Sequence, residues 1–178
     1  MLAASINLDA IAIAAKRDDM KINEKSEGHG LNEVDISTLS PDEAEYGRSS
    51  SMIKGVAAGL KEKGYEIGGF DACTTSDVMG GSGLSSSAAF EVLIATVINH
   101  LYNDGKIDAV TVAKAAQFSE NVYFGKPSGL LDQMASSVGT FVTIDFKDTA
   151  NPVIKKVDFD FAKSGYSLCI VDTVSYTH

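Results

Sequence analysis

Residues 86–102 place apolar side chains on nearly every face of a predicted helix, and Glu91 is the only charge within it. A helix that is apolar all round is buried in a protein core. Residues 70–76 predict a short strand just before it, and the letters between the two are rich in glycine and serine. The pattern therefore predicts a strand, a Gly-rich loop and a buried helix, in that order.

Apolar residues at helical spacing predict one helix before this unit and two after it. The first spans residues 43–63, although Gly55 and Gly59 weaken it. The second spans residues 108–124. The third spans residues 128–138, with Pro127 in its first turn.

The two ends of the chain are rich in strand formers. Residues 2–14 and 20–25 predict a hairpin around the charged cluster at 16–19, and residues 27–41 predict a surface loop. Three closing strands are expected at residues 141–146, 153–159 and 166–172.

Length and charge narrow the function classes. At 178 residues the chain fits one domain, or one domain with an incomplete neighbour. Its net charge of −9 gives no electrostatic footprint for nucleic acid or an anionic membrane, and no apolar stretch has the length of a membrane span. Cys73 and Cys169 stand alone, so neither zinc nor a disulfide framework is predicted, and a reducing cytoplasm suits them.

The strongest candidate for chemistry is the run GGSGLSSSAA at residues 80–89. Glycines let backbone N–H groups approach a phosphate, and the following helix start adds partial positive charge and unpaired donors. The serine hydroxyls add further donors, and one of them could ligate Mg²⁺. An acidic protein could hold a polyphosphate locally in this way.

Three other phosphate-binding or catalytic motifs are excluded because the loop lacks residues that they require. A P-loop needs Gly-Lys-Ser/Thr, a dinucleotide fingerprint needs a third glycine where Ser86 stands, and a hydrolase elbow needs Gly-x-Ser-x-Gly. A glycine turn followed by a serine helix cap remains the alternative explanation.

Two carboxylates are further candidates. Glu120 falls near Ala113, Ala116 and Phe124 on a helical wheel, and a carboxylate among apolar neighbours needs a partner such as Mg²⁺. Its alternative is a solvated or salt-bridged glutamate.

Asp132 lies four residues from both Ser128 and Ser136, which predicts a polar stripe of small side chains with room for a ligand. Asp132 could accept a hydroxyl proton. Its alternative role is to stabilise the helix dipole in the first turn.

Taken together, these segments resemble the GHMP kinases, which are named for galactokinase, homoserine, mevalonate and phosphomevalonate kinases. GGSGLSSSAA resembles the phosphate-binding motif of the family, and QFSENVYFGKPSGLLDQMASSVG resembles the segment of the galactokinases that carries a metal-binding Glu and an active-site Asp. Asp132-Gln133 favours the galactokinases within the family. Ser128 departs from them, because many have Cys there.

The resemblance implies a fold and a function. It implies an α/β (α+β) fold of the ribosomal protein S5 domain 2-like type with a left-handed βαβ unit. Residues 1–146 would form the nucleotide-binding N-terminal domain, and residues 147–178 would lead into an incomplete C-terminal domain. The implied reaction is ATP-dependent phosphorylation of galactose to galactose 1-phosphate, with Mg²⁺ as cofactor and ATP and a small sugar as partners.

The resemblance also assigns roles to individual residues. Asp132 would be catalytic and, with Gly129, would contact the sugar. Ser87 and Glu120 would hold Mg²⁺. The ATP phosphates would be bound by the loop residues Gly81, Ser82, Gly83, Leu84, Ser85, Ser86 and Ser87.

Two motifs of the family are not found in this sequence. The sugar-recognition motif would precede Met1, and the third motif would follow His178, so we expect a fragment that is inactive alone. Residues 174–178 also depart from the expected continuation. The alternatives are another sugar kinase of the family, acting on N-acetylgalactosamine, a uronic acid or arabinose, and a non-catalytic sugar sensor.

Overall fold

The computed structural model describes residues 1–148 and 151–169, which form two β-sheets and four α-helices. The strands are β1 (Leu2–Ala4), β2 (Ala10–Lys16), β3 (Lys21–Ser26), β4 (Leu31–Asp35), β5 (Phe70–Ser76), β6 (Phe141–Asp145) and β7 (Val153–Val157). The helices are α1 (Ser49–Glu62), α2 (Ser86–Tyr102), α3 (Ala109–Phe118) and α4 (Leu131–Val138). Short 3₁₀ turns lie at Glu43–Glu45 and Phe161–Ser164.

The larger sheet has the strand order β2-β5-β3-β4. β5 runs antiparallel to β2 and parallel to β3, and the chain passes through α1 between the two parallel strands. The loop that follows β5 leads directly into α2. The mixed α/β architecture agrees with the predicted fold class.

The predicted hairpin of residues 2–14 and 20–25 is wrong, because β5 lies between β2 and β3. Gly69 enters this gap: its N–H donates to the carbonyl of Asp19, and its own carbonyl accepts from the N–H of Arg17. A Cβ at Gly69 would overlap the carbonyl oxygens of Asp19 and Lys21. The long-range insertion of β5 thus replaces the local pairing that the sequence suggested.

The hairpin that does form joins β3 and β4, so the predicted loop at 27–41 contains a strand. Val34 and Ile36 are buried against the core, and alternating polar residues face outward. Period-two burial is the mark of a half-buried strand. The charged residues of β4, Glu33 and Asp35, lie on its exposed face.

The smaller sheet has the order β1-β6-β7, with both pairs antiparallel. β6 and β7 confirm the strands expected at 141–146 and 153–159, each ending slightly earlier. The third closing strand is not formed over residues 166–169, and residues 170–172 lie outside the described part of the chain.

The buried helix α2 begins and ends where the sequence predicted. α1 begins at Ser49 instead of residue 43, and α3 ends at Phe118, after which Ser119–Tyr123 form a π-helical turn. The main core lies between the larger sheet and α1, α2 and α3. Across the described ranges, no helix is both long enough and apolar enough to cross a bilayer.

α4 begins at Leu131, so the predicted placement of Pro127 and Ser128 within a helix is wrong. Side chains hold Ser128 outside it: Oδ1 of Asn121 accepts from the Ser128 N–H at 2.6 Å, and the Ser128 carbonyl accepts from Nε2 of Gln117 at 3.1 Å. Since both backbone groups have side-chain partners, the helix gains nothing by extending to Ser128.

Candidate active site

The Gly-rich loop connects Ser76, the last residue of β5, with the start of α2. Gly81 and Gly83 have φ angles of 75° and 76°, in the left-handed region that glycine adopts without strain. No described atom lies within 4 Å of a Cβ placed at Gly80, Gly81 or Gly83. The loop therefore leaves an open cradle beside its own backbone.

Ser85 is the N-cap residue of α2 and has an unusual backbone conformation for a residue with a side chain, with φ at 62°. The left-handed region costs about 1–2 kcal/mol for such a residue. The Ser85 hydroxyl donates to Oδ2 of Asp132 at 2.7 Å, a bond across the site instead of a cap on its own helix. The N–H groups of the first turn of α2 thus keep their partial positive charge for a ligand.

Glu120 is almost fully buried, with 2% of its surface exposed, and both of its oxygens have partners. Oε1 accepts from Oγ of Ser87 at 3.0 Å and from Nζ of Lys126 at 2.8 Å, and Oε2 accepts from Nε2 of Gln133 at 2.7 Å. Burial raises the pKa of Glu120, but hydrogen bonds from Lys126 and Ser87, together with the positive charge of Lys126, outweigh it and leave the pKa below its usual range. Glu120 is therefore an ionised carboxylate beside Ser87.

The π-helical turn after α3 points Glu120 into this position. Ser119, the first residue of the turn, is buried, and its hydroxyl donates to the carbonyl of Met52 in α1 at 2.8 Å. A Cβ at Gly55 would lie 2.7 Å from Oγ of Ser119 and 2.8 Å from the Tyr123 ring. Gly55 therefore lets α1 and the turn approach closely, which explains a glycine that appeared only to weaken α1. π-helical turns of this kind are frequent at functional sites.

Asp132 is exposed in the first turn of α4 and faces a cleft of about 630 Å³. The cleft lies between residues 2–10, α2 and α4, and both Ser85 and Ser136 line it. Ser136 thus shares the Asp132 side of α4, whereas Ser128 precedes the helix and is not part of the predicted stripe. Gly129 is exposed just before α4, and no described atom lies within 4 Å of a Cβ placed there.

The structure thus brings together the predicted residues of the loop, Glu120 and Asp132. Lys126 and Gln133, to which the sequence assigns no role at the site, also bond to Glu120. Lys126 is the only basic residue between Lys114 and Lys147, and Gln133 directly follows Asp132. Both signals were present in the sequence, but their shared contact with Glu120 depends on the tertiary fold.

The pair of Ser87 and Glu120 fits a hard divalent cation. A hydroxyl and an ionised carboxylate are oxygen ligands of the type that Mg²⁺ prefers, and the open loop cradle lies on the same helix start. Over the described residues, no group of three or more His, Cys, Asp or Glu side chains could hold a metal. Such an ion would therefore need phosphate oxygens or water to complete its coordination.

Comparison with known proteins identifies the family of the chain. Residues 49–140 match the family model described as the GHMP kinases N terminal domain. A galactokinase of Clostridium tetani is 35% identical over 138 residues, covering 76% of this chain and 34% of that protein. A galactokinase of Streptomyces coelicolor is 34% identical over 172 residues, covering 95% of this chain and 44% of that protein.

A crystal structure of Lactococcus lactis galactokinase complexed with galactose is similar in fold. It has a TM-score of 0.74 and 30% sequence identity, and the match covers 87% of this chain and 41% of that one. The chain therefore spans less than half the length of these relatives.

Proposed function

Since the chain belongs to the GHMP kinase family, we propose that the protein carrying it transfers the γ-phosphoryl group of ATP to an alcohol group, the anomeric hydroxyl of galactose. The observation that carries the proposal is the bond between Ser85 and Asp132. It sets a carboxylate that can receive a proton directly against the start of the phosphate-binding helix. Phosphoryl transfer needs these two elements side by side.

The loop residues Gly81 to Ser87 bind the ATP phosphates in this proposal. The chain is acidic overall, so phosphates must be attracted by local groups instead of by a general positive field. The open space beside Gly81 and Gly83 allows close backbone approach, and the α2 N-terminus provides donors and partial positive charge. The serine side chains add hydroxyl donors to the same cradle.

Ser87 and Glu120 would hold Mg²⁺ at the start of α2. When bound, the ion would neutralise charge on the phosphates during transfer. The protein contributes an ionised Glu120 whose Oε2 is fixed by Gln133, which leaves Oε1 directed toward Ser87. Lys126 also bonds to Oε1, and its positive charge balances the negative charge of Glu120 when no other cation is near.

Asp132 would orient the acceptor hydroxyl and receive its proton. Its side chain faces the cleft, which has room for a monosaccharide next to the loop. Gly129 would supply a backbone contact to the sugar. Galactose is proposed because the sequence relatives are galactokinases and the similar crystal structure is complexed with galactose.

Two broader features complete the proposal. Residues 1–146 would form the nucleotide-binding domain, and residues 147–178 would lead into a further domain. A cytoplasmic location would suit the two free cysteines, Cys73 and Cys169.

Replacing Gly83 with Val tests the phosphate assignment. A β-branched residue cannot adopt the φ of 76° at this position without strain, so the loop would have to rearrange. Calorimetry should show that Gly83→Val weakens ATP far more than galactose. Gly28→Val is the matched control, because Gly28 has a φ of 77° and open surroundings but lies outside the loop. If both variants weaken ATP equally, the effect is general destabilisation and the assignment is wrong.

A further inference from the structure

Glu91 is a carboxylate with no exposed surface, one helical turn after Ser87 on α2. Within the described residues, neither of its oxygens has a hydrogen-bond partner. Oε1 of Gln133 is also buried and also lacks a hydrogen-bond partner among the described residues. Buried polar groups are nearly always paired, so three unpaired acceptors in one region call for an explanation.

The groups that face Glu91 come from three neighbouring segments. They are Ser119 and Glu120 on the π-helical turn, Lys126 on the following loop, and Gln133 on α4. The Ser119 hydroxyl already donates to Met52, and the Gln133 amide nitrogen donates to Glu120. An ionised Glu91 would therefore add a second negative charge beside Glu120 and face the carbonyl oxygen of Gln133.

A single proton removes this conflict. A protonated carboxyl group has one donor and retains acceptor capacity, whereas the Gln133 amide oxygen can only accept. We propose that Glu91 is a positioning residue: as a neutral carboxylic acid it donates to Oε1 of Gln133 and so holds the Gln133 amide against Glu120. One hydrogen bond then gives partners to both side chains.

The electrostatics of the region support a neutral Glu91. Burial, and next the negative charge of Glu120, raise the pKa of Glu91 to about 8. Ser119, Gln133 and Lys126 act in the opposite direction but do not restore the usual value. Burial and the charge of Glu120 both favour the neutral form of the Glu91 carboxyl group.

The proposed hydrogen bonds from Glu91 to Gln133 and from Gln133 to Glu120 determine which oxygen of Glu120 stays available for a cation. Gln133 can donate to Oε2 only if its amide is turned with the nitrogen toward Glu120, and a donor at Glu91 favours that orientation over the flipped one. Oε1 is then left for Ser87 and for a cation. This consequence rests on the proposed function, because it concerns the carboxylate that would hold Mg²⁺.

Two substitutions of Glu91 separate a neutral donor from an ionised acid. Glu91→Gln keeps a neutral donor of similar size, whereas Glu91→Leu removes the donor. Asn99→Ala is the matched control, because Asn99 is the other buried polar residue of α2 and its side chain bonds only to Ile107 among the described residues. The measurement is the Mg²⁺ concentration that gives half-maximal binding of ADP, determined by calorimetry.

Glu91→Leu should raise this concentration by about tenfold or more, the usual effect of losing a residue that orients a metal ligand. Glu91→Gln and Asn99→Ala should stay within about twofold of the parent protein, a difference well below that effect. If Glu91→Gln is as impaired as Glu91→Leu, or Glu91→Leu behaves as the parent does, the positioning role is wrong.

A second readout does not depend on nucleotide. Infrared spectroscopy of the parent protein at neutral pH should show the carbonyl band of a buried protonated carboxyl group, and Glu91→Gln should remove it. Absence of the band would overturn the inference. If the parent binds no Mg·ADP but shows the band, the proposed function fails while the Glu91–Gln133 bond stands.

Discussion

The hydroxyl of Ser85 lies 2.7 Å from Oδ2 of Asp132 and so links the N-terminal ends of α2 and α4. Ser85 makes this bond from a left-handed backbone conformation that a residue with a side chain seldom adopts. Strained conformations persist where the surrounding structure enforces them, often at functional sites. The strain at Ser85 sets its hydroxyl against the side chain that would receive the sugar proton.

Two substitutions at Ser85 should separate the hydroxyl from the strain. Ser85→Ala and Ser85→Gly both remove the bond to Asp132, and each should lower turnover about tenfold, because a hydrogen bond to a charged group contributes at least about 1.5 kcal/mol. Only glycine relieves the left-handed strain, so Ser85→Gly should be about 1 kcal/mol more stable than Ser85→Ala. Chemical denaturation measures the difference in stability, and steady-state kinetics of the protein that carries this chain measure the turnover. Equal stability of the two variants would mean that the backbone there is not strained.

Glu120→Ala should raise the Mg²⁺ concentration required for activity by at least about tenfold. Loss of a residue that orients a metal ligand lowers metal affinity by about this factor, and loss of the ligand itself should lower it at least as much. Lys126→Met is the control. It removes a partner of the Glu120 carboxylate but leaves Oε1 able to bind a cation, so the required Mg²⁺ concentration should not rise. Titration with Mg²⁺ of the activity of the protein that carries this chain checks both variants. A parallel increase in both variants would show that charge balance, not metal binding, is what Glu120 provides.

Gly55→Ala should destabilise the fold by about 1–3 kcal/mol, the usual cost of an overpacked contact. The added methyl group would lie 2.7–2.8 Å from atoms of Ser119 and Tyr123 and push α1 away from the π-helical turn. Gly30→Ala is the comparison, because no described atom lies within 4 Å of a Cβ there. Thermal or chemical unfolding measures the difference, and equal stability of the two variants would rule out the tight packing.

The sequence predicted those features that depend on neighbouring residues. The limits of α2 follow from a serine-rich start and a continuous apolar run, and the structure has the same limits. The Gly-rich loop is predicted from its run of glycines and serines, and Gly81 and Gly83 within it have the left-handed backbone that glycine adopts without strain. Local signals thus gave the strand, loop and helix that carry the proposed phosphate site.

Features that depend on distant residues were missed. The pairing of β2 with β5 joins residues about sixty positions apart, and no local pattern favours it over the hairpin. The π-helical turn is bonded to α1 through Ser119 and Met52, which are 67 positions apart, and Glu120 is bonded to α2 through Ser87, which is 33 positions away. The sequence indicates only that Gly55 weakens α1, because its close neighbour, Ser119, lies in another element.

The most direct test of the account is galactose-dependent release of ADP from Mg·ATP. It should be measured on the chain together with whatever sequence naturally flanks it, with Asp132→Asn as the comparison and N-acetylgalactosamine, a uronic acid and arabinose as alternative acceptors. The account predicts ADP release with galactose, and a loss of at least about 10²-fold in Asp132→Asn with nucleotide binding retained. Equal turnover by Asp132→Asn, or ADP release that does not depend on any sugar, would contradict it.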